Sequence, residues 1–175
     1  MNIITVRKAT KSDIRSLSRK LLKLLEDKNG PIYMENVAKF GIPEEYVRKA
    51  FSEETLLVAA FSKRSTFYLA LQDHREIVGF AQITQQNVSI AELDRIVVFP
   101  EHTRKGIGTQ LLTEAIKDQQ KRGIKIIVVS AGREEKHARQ FYEKNGFKAV
   151  EQTNKATPWG NKLTLVTYEL ELTPN

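Results

Sequence analysis

One segment, residues 96–109, limits what this chain can fold into more than any other. An apolar strand pattern leads through a turn at Pro100 into a loop with two glycines, Gly106 and Gly108, and then into an amphipathic helix. Glycine lets the backbone adopt left-handed conformations and approach a ligand closely. The free N–H groups at a helix N-terminus attract anions. The segment therefore predicts a strand, a loop and a helix that together cradle a phosphate-bearing ligand.

The same loop carries two cationic side chains, Arg104 and Lys105, which would complement a diphosphate. Two other phosphate motifs are excluded by the spacing. A dinucleotide fingerprint needs a third glycine where Leu111 stands, and a nucleoside-triphosphate loop needs a Gly-Lys-Ser/Thr sequence that does not follow. In isolation the glycine pair is also compatible with a flexible turn.

Composition narrows the class of protein. The 175 residues are 41% hydrophobic, which predicts one domain over residues 1–175 with a sizeable core. The absence of cysteine excludes disulfides, thiolate metal sites and a cysteine nucleophile, and three isolated histidines predict no metal site. No apolar run approaches the ~18 residues of a membrane span, and the N-terminus has no signal-peptide pattern. We therefore expect a soluble, cytoplasmic protein that does not bind a membrane.

The net charge of +7 has two interpretations, a surface that attracts nucleic acid or a local pocket for an anionic cofactor. The basic residues are scattered and the few aromatic residues do not interleave with them, which argues against stacking on single strands. We expect no nucleic-acid partner, because no recognition helix or RNA-binding motif is found.

Hydrophobic periodicity and turn residues give the order β-α-α-β-β-β-α-β-α-β-β, a mixed α/β or α+β sheet. The first helix begins at a capping box, Thr10 with Asp13, and Gly146 is expected to cap the last helix in the left-handed conformation. The expected strands are 3–8, 66–71, 76–85, 88–98, 124–130, 147–152 and 163–170, and the expected helices are 14–25, 43–61 with a break near Ser52, 107–122 and 133–144. The strand at 124–130 is rich in β-branched residues, which predicts burial on both faces.

Two further positions are candidates for catalysis. Tyr142 lies in an amphipathic helix, and apolar residues at this spacing usually belong to the core. A catalytic role is the alternative, because a phenol of pKa ~10 could protonate a departing thiolate of pKa ~8.5. Glu92 lies in a predicted strand, where glutamate is disfavoured. It is either exposed or a general base whose pKa is raised by burial, and Asp94 would share its face if the strand is regular.

The strand, the glycine loop and the helix with Tyr142 together resemble the GNAT superfamily of N-acetyltransferases. The resemblance is strongest between Ala91 and Phe147. The family loop reads Gln/Arg-x-x-Gly-x-Gly/Ala, and residues 103–108 match it except that Thr103 takes the first place. The resemblance implies a mixed, mostly antiparallel central sheet flanked by helices. It also implies acetyl-CoA as cosubstrate and acyl transfer to a primary amine.

The resemblance assigns roles to individual residues. Tyr142 matches the family's general acid, and Glu92 has the spacing of the general base that some members use. A strand bulge that pairs with the pantetheine arm of acetyl-CoA falls on Ile96, Val97 and Val98. Glu135 takes the place of an asparagine that often contacts the cofactor. The pyrophosphate is expected on the main-chain amides of Arg104, Lys105, Gly106, Ile107, Gly108 and Thr109.

The acceptor is the least constrained part of this assignment. The sequence around Ala91–Arg95 resembles polyamine-acetylating members. Acidic residues between 14 and 61 are expected to line a pocket for spermidine or spermine. These residues are Glu26, Asp27, Glu44, Glu45, Glu53 and Glu54. The alternatives are a protein N-terminus or lysine as acceptor, or an acyl-CoA-binding module without turnover. The expected partners are acetyl-CoA and a small amine, with a homodimer as a further expectation.

Overall fold

The computed structural model describes residues 2–174 and is built on a seven-stranded sheet. Its order is β1-β2-β3-β4-β5-β7-β6. All neighbouring strands are antiparallel except β4 and β5, which run parallel. This confirms the predicted mixed, mostly antiparallel sheet. The strands are β1 (Ile4–Lys8), β2 (Ser65–Gln72), β3 (Glu76–Gln85), β4 (Ile90–Val98), β5 (Ile126–Gly132), β6 (Lys148–Ala156) and β7 (Lys162–Glu171).

Six α-helices cover the sheet. The first begins at the predicted capping box, in which Thr10 and Asp13 bond each other's backbone. Ser52 caps the fourth, at the predicted break. The helices are α1 (Lys11–Leu25), α2 (Pro31–Tyr33), which continues as a π-helical turn (Met34–Ala38), α3 (Glu44–Ala50), α4 (Glu53–Phe61), α5 (Ile107–Lys121) and α6 (Lys136–Lys144). No helix within residues 2–174 is long and apolar enough to cross a membrane.

Two hydrophobic cores form, one on each face of the sheet. The core beneath α5 and α6 includes Leu111, Leu112 and Tyr142. The core beneath α1–α4 includes Leu17, Leu21 and Phe80. Side chains of a strand alternate between faces, so the central strands contribute to both cores. The face to which a residue of β4 points therefore decides which helices surround it.

A β-bulge in β4 changes that alternation. Gln82 pairs with Arg95 and the next residue of β3, Ile83, pairs with Leu93, so Asp94 is the extra residue. Leu93 belongs to the core beneath α5, as does Ile96 three residues later. The family resemblance implied a bulge at residues 96–98, whereas the pairing with β3 places it at Asp94, two residues earlier. Strand pairing sets the position of a bulge, and the sequence of β4 alone does not show that pairing.

Two further expectations differ from the structure. From Ile126 to Ser130, β5 alternates between buried residues and residues that are partly or fully exposed, so it is buried on one face, against the core beneath α5 and α6. The last helix begins at Lys136 rather than at 133.

Candidate active site

The parallel strands β4 and β5 pair over only three residues and then separate. Ile90, Ala91 and Glu92 face residues 126–128, and no pairing with β5 follows for residues 93–98. β7 pairs with the whole of β5, along its other edge. A wedge-shaped gap therefore opens in the middle of the sheet, immediately after Glu92, and it exposes the edge of β4 to whatever enters.

The loop before α5 presents unpaired backbone donors at the wide end of this gap. Arg104 and Gly106 both have positive φ, 61° and 77°, and Gly106 is the residue that caps α5. The first backbone bond of the helix runs from the N–H of Gln110 to the carbonyl of Gly106. Within residues 2–174, the N–H groups of residues 104–109 donate to no backbone carbonyl. Together they form a nest of free donors suited to an anion.

A cavity of about 480 Å³, here called the loop cavity, lies against these donors. Its walls come from β4, the loop, α5 and α6. Arg104 and Lys144 supply positive charge at its surface. Of the residues that the sequence predicted for cofactor binding, those that line it are Ile96, Val98, Arg104, Gly106, Ile107, Gly108 and Thr109.

The two loop glycines serve different purposes. A Cβ on Gly106 would have no heavy atom within 4 Å, so space does not require glycine there. Glycine is favoured because its backbone is left-handed, and it leaves the space in front of the loop open. A Cβ on Gly108 would lie 3.2 Å from the ring of Phe141. Gly108 therefore lets α6 approach the start of α5 and narrows the loop cavity.

Tyr142 lies on α6 at the inner end of the loop cavity and is 8% exposed. Its ring packs among Phe141, Phe147 and Tyr168, with centroid distances of 5.7 to 6.0 Å. Burial, reinforced by the negative charge of Glu135, raises the pKa of Tyr142 to about 12. The phenol therefore keeps its proton at neutral pH and can donate it inside the cavity.

Glu92 and Asp94 face the other side of the sheet. Glu92 lies opposite Thr84, and the Thr84 hydroxyl donates to the Asp94 carboxylate, so both acids share the face that carries α1–α4. Partial burial, followed by the nearby charge of Asp94, raises the pKa of Glu92. Burial also raises the pKa of Asp94. The Gln86 side chain donates to Glu92 at 3.0 Å and orients its carboxylate.

A second cavity, of about 400 Å³ and here called the Arg95 cavity, lies on this face. Asp94, Arg95 and Val97 of β4 line it, as do Tyr46 and Trp159 of the β6–β7 loop, whose rings form a tilted pair with centroids 5.6 Å apart. The loop is held there because the Asn161 side chain donates to the Phe40 carbonyl at 2.8 Å. The two cavities therefore lie on opposite faces of β4, at the point where its edge towards β5 is free.

The acidic wall expected between residues 14 and 61 does not form here. Glu44 pairs with Lys28 and Arg48, and Glu53 pairs with Arg15. None of the six acidic residues lines the Arg95 cavity, and its carboxylate is that of Asp94. Glu44 of α3 and Glu53 of α4 are held by exposed lysine and arginine partners, and Asp27 lines a separate cavity beside Phe99.

Four predicted site residues lie outside the loop cavity. Lys105 is exposed beside it, and Val97 points into the Arg95 cavity instead. Glu92 is on the opposite face. Glu135 accepts a hydrogen bond from the backbone N–H of Gly132 at 2.7 Å and lies 3.7 Å from Lys39, which directs its carboxylate away from the loop.

Sequence reasoning missed most of the Arg95 cavity. Arg95 follows Asp94 directly, yet without the bulge it would face the other side of the sheet. Trp159 was not assigned to a site. His102 and Phe141 also line the loop cavity without having been assigned to it. An unexplained charged residue in a strand, such as Arg95, was the available signal.

The loop cavity fits the diphosphate and pantetheine parts of acetyl-CoA. Free amides, two cationic side chains and the open position in front of Gly106 suit phosphate oxygens. The unpaired edge of β4 suits an extended arm with amide groups, which would complete the missing backbone hydrogen bonds. The residues present are thus compatible with this cosubstrate.

Comparison with known proteins agrees with this assignment. Residues 63–149 match the model of the acetyltransferase (GNAT) domain. A spermidine N(1)-acetyltransferase of Thermoplasma acidophilum is 31% identical over 154 residues, which cover 86% of this chain and 91% of that protein. The crystal structure of PaiA N-acetyltransferase from the same organism, in complex with coenzyme A, superimposes with a TM-score of 0.69 at 27% identity and covers 97% of this chain and 99% of that one.

The fold is also shared with more distant proteins. The ribosomal-protein-S18-alanine N-acetyltransferase of Escherichia coli superimposes with a TM-score of 0.71 at 18% identity, with 99% of this chain and 96% of that one covered. The 31% sequence identity to the Thermoplasma enzyme, over 154 residues, is sufficient to assign the family. This chain belongs to the GNAT superfamily and is an acetyl-CoA-dependent N-acetyltransferase.

Proposed function

We propose that this enzyme acetylates a small primary amine, which enters through the Arg95 cavity while acetyl-CoA occupies the loop cavity. The observation that carries the proposal is the position of the two cavities on opposite faces of β4, beside the edge that β5 leaves free after Glu92. Donor and acceptor can then meet across the strand without a covalent enzyme intermediate. Because residues 1–175 contain no cysteine, direct transfer also agrees with the composition.

Glu92 and Tyr142 have complementary positions for this transfer. A primary amine of pKa ~10.4 is mostly protonated at neutral pH and must lose a proton before it can attack. The carboxylate of Glu92, on the acceptor face and with a raised pKa, would take that proton directly or through a water. The phenol of Tyr142, on the donor face, would give its proton to the coenzyme A sulfur.

A polyamine is the acceptor that the relative from Thermoplasma suggests, since that protein is named as a spermidine acetyltransferase. Asp94 and Glu92 provide negative charge near the transfer point, as a cationic amine requires. A protein N-terminus or lysine is the alternative acceptor. The size of the Arg95 cavity, about 400 Å³, favours a small molecule.

The proposal is tested by release of free thiol from acetyl-CoA with a panel of amines. The panel contains spermidine, spermine, simple monoamines, amino acids, amino-acid amides and peptides with free N-termini. We expect turnover with at least one small amine, and its loss in the variant Tyr142→Phe. Tight binding of coenzyme A without thiol release for any amine would show instead a binding module without turnover.

A further inference from the structure

Within residues 2–174, Arg95 is a partly buried cation without a hydrogen-bonding partner. Its guanidinium makes no hydrogen bond and no ion pair with any residue between 2 and 174, and the charge that acts on it is that of its neighbour Asp94. One face lies over the ring of Phe51, 5.7 Å from the centroid. Removal of a charge from water without compensation is costly. The fold therefore maintains an unfavourable arrangement that a ligand could relieve.

The guanidinium is accessible from the Arg95 cavity, because Arg95 is partly exposed and lines that cavity. The bulge at Asp94 turns Arg95 to this face, opposite Gln82. The Gln82 side-chain oxygen is itself buried without a hydrogen-bond partner. The free donors of Arg95 thus face the space that the acceptor enters.

The groups around the cavity have a definite charge pattern. Asp94 lies beside the guanidinium, and burial raises the pKa of its carboxyl. Asn36 adds one amide, and the remaining walls are mainly apolar or aromatic, with Ile42, Val47, Tyr46 and Trp159 among them. The cavity thus offers one cation, one acid and an apolar wall. A polyamine carries only positive charges and would leave Arg95 uncompensated.

We infer that the acceptor is an amino-acid-like molecule with an apolar side chain, whose carboxylate is bound by Arg95 while its amine faces Asp94 and the free edge of β4. This inference rests on the proposed function and narrows its substrate class. The planar guanidinium binds a carboxylate through two parallel hydrogen bonds, an arrangement that lysine cannot reproduce. Arg95 is therefore the residue that determines specificity.

The test compares three acceptors that differ only at the carboxylate. For leucine, methionine and phenylalanine, kcat/KM is measured for the amino acid, its amide and the amine that lacks the carboxyl group. In at least one series, we expect kcat/KM for the amino acid to exceed the values for its two analogues by about ten- to one-hundred-fold. A hydrogen bond between charged groups contributes a difference of this size. In Arg95→Gln this preference should disappear while turnover of the decarboxylated amine persists. Arg95→Lys should retain part of it.

Arg48→Gln is the matched control, because Arg48 is exposed on α3 and is held by Glu44 outside the cavity. It should leave the preference unchanged. Thermal unfolding with and without coenzyme A establishes that each variant is folded and retains its donor site. The inference is wrong if kcat/KM for amides, peptides or spermidine exceeds that for the amino acids in every series. It is also wrong if Arg95→Gln lowers kcat/KM equally for the amino acid, its amide and the decarboxylated amine.

A second measurement separates this inference from the proposed function. Calorimetric titration of N-acetylleucine, N-acetylmethionine and N-acetylphenylalanine into protein saturated with coenzyme A reports carboxylate binding without turnover. We expect binding of at least one product to the native enzyme and at least about tenfold weaker binding to Arg95→Gln. Absence of thiol release for every amine would contradict the proposed function. Equal binding to both proteins, or no binding, would contradict the role of Arg95.

Discussion

Glu92 of β4 and Val128 of β5 form the last pair between these two strands. Beyond them the sheet divides, and the acids of β4 point to one face while Ile96 and Val98 point to the loop cavity on the other. Glu92, the proposed proton acceptor, and Tyr142, the proposed proton donor, therefore lie on opposite sides of one free strand edge. The separation of two strands, rather than a cleft between domains, creates the site.

Removal of the Tyr142 hydroxyl tests the donor side. We expect Tyr142→Phe to lower kcat by about one-hundredfold or more, the contribution typical of general acids, with the KM for acetyl-CoA nearly unchanged. Since burial raises the pKa of Tyr142 to about 12, the native enzyme should show no loss of kcat from ionisation of this phenol below pH 10. Steady-state kinetics across pH measures both effects.

Tyr168→Phe is the control for this substitution. Its ring lies 6.0 Å from that of Tyr142, but its hydroxyl bonds Arg139 and Glu143 instead of facing the loop cavity. Its kcat should remain near the native value. If the two variants behave alike, or if kcat survives in Tyr142→Phe, the assignment of the general acid fails.

The pH dependence of kcat/KM tests the acceptor side. Burial and the charge of Asp94 raise the pKa of Glu92, so activity should decline on acidification at a higher pH than for an ordinary glutamate. Asp94→Asn removes a negative neighbour, lowers the pKa of Glu92 and should move this acidic limb to lower pH. Glu92→Gln should remove the limb together with most of the activity. If kcat/KM of Glu92→Gln still declines at the same acidic pH as in the native enzyme, another group is the base.

The loop glycines give a prediction for binding of coenzyme A. Gly106→Ala forces a side chain into a left-handed backbone, at a cost of about 1–2 kcal/mol, and should weaken binding accordingly. Gly123 at the end of α5 has a similar φ of 84° and equally open surroundings but lies away from the loop cavity. Gly123→Ala should therefore lower stability without affecting the dissociation constant. Calorimetry and thermal unfolding distinguish the two losses.

Gly108→Ala acts through packing and not through backbone strain. The new methyl group would lie 3.2 Å from Phe141 and push α6 away from α5. We expect weaker binding of coenzyme A, which Phe141→Leu in the same protein should partly restore because it relieves the contact. Additive losses in the double variant, measured by calorimetry, would show that the two residues are not coupled.

The capping box of α1 gives a prediction for stability. The Arg7 side chain, which bonds Asp13 at 2.6 Å, and the Thr10 backbone lower the pKa of Asp13 to about 2. A carboxyl group whose pKa is lowered by folding stabilises the fold at pH values above its unfolded-state pKa, about 3.8. This stabilisation is lost as the pH falls towards 2. Asp13→Ala should cost about 1–2 kcal/mol at pH 7 and less at pH 2.5. Urea unfolding at both pH values measures this, with Glu26→Ala as the exposed control.

Local sequence signals predicted what depends on a few consecutive residues. The capping box at Thr10, the turn into Gly106 and the left-handed cap at Gly146 are each fixed by their own backbone geometry, and all three occur in the structure. The strand order and the gap after Glu92 depend on pairing between distant strands, which no local signal specifies.

Features that depend on distant contacts were missed or misplaced. The bulge at Asp94 is set by pairing with β3, and it determines that Arg95 faces the acceptor side. Trp159 meets Tyr46 across more than one hundred residues of sequence, joined by the bond from Asn161 to Phe40. No local periodicity encodes such a contact, so the acceptor cavity could not be assembled from the sequence.

A crystal structure of the enzyme with coenzyme A tests the central claim most directly. We predict the pyrophosphate on the amides of residues 104–109, the pantetheine arm along the free edge of β4, and the sulfur within hydrogen-bond reach of the Tyr142 hydroxyl. Coenzyme A bound outside the gap between β4 and β5, or a sulfur remote from Tyr142, would contradict the account.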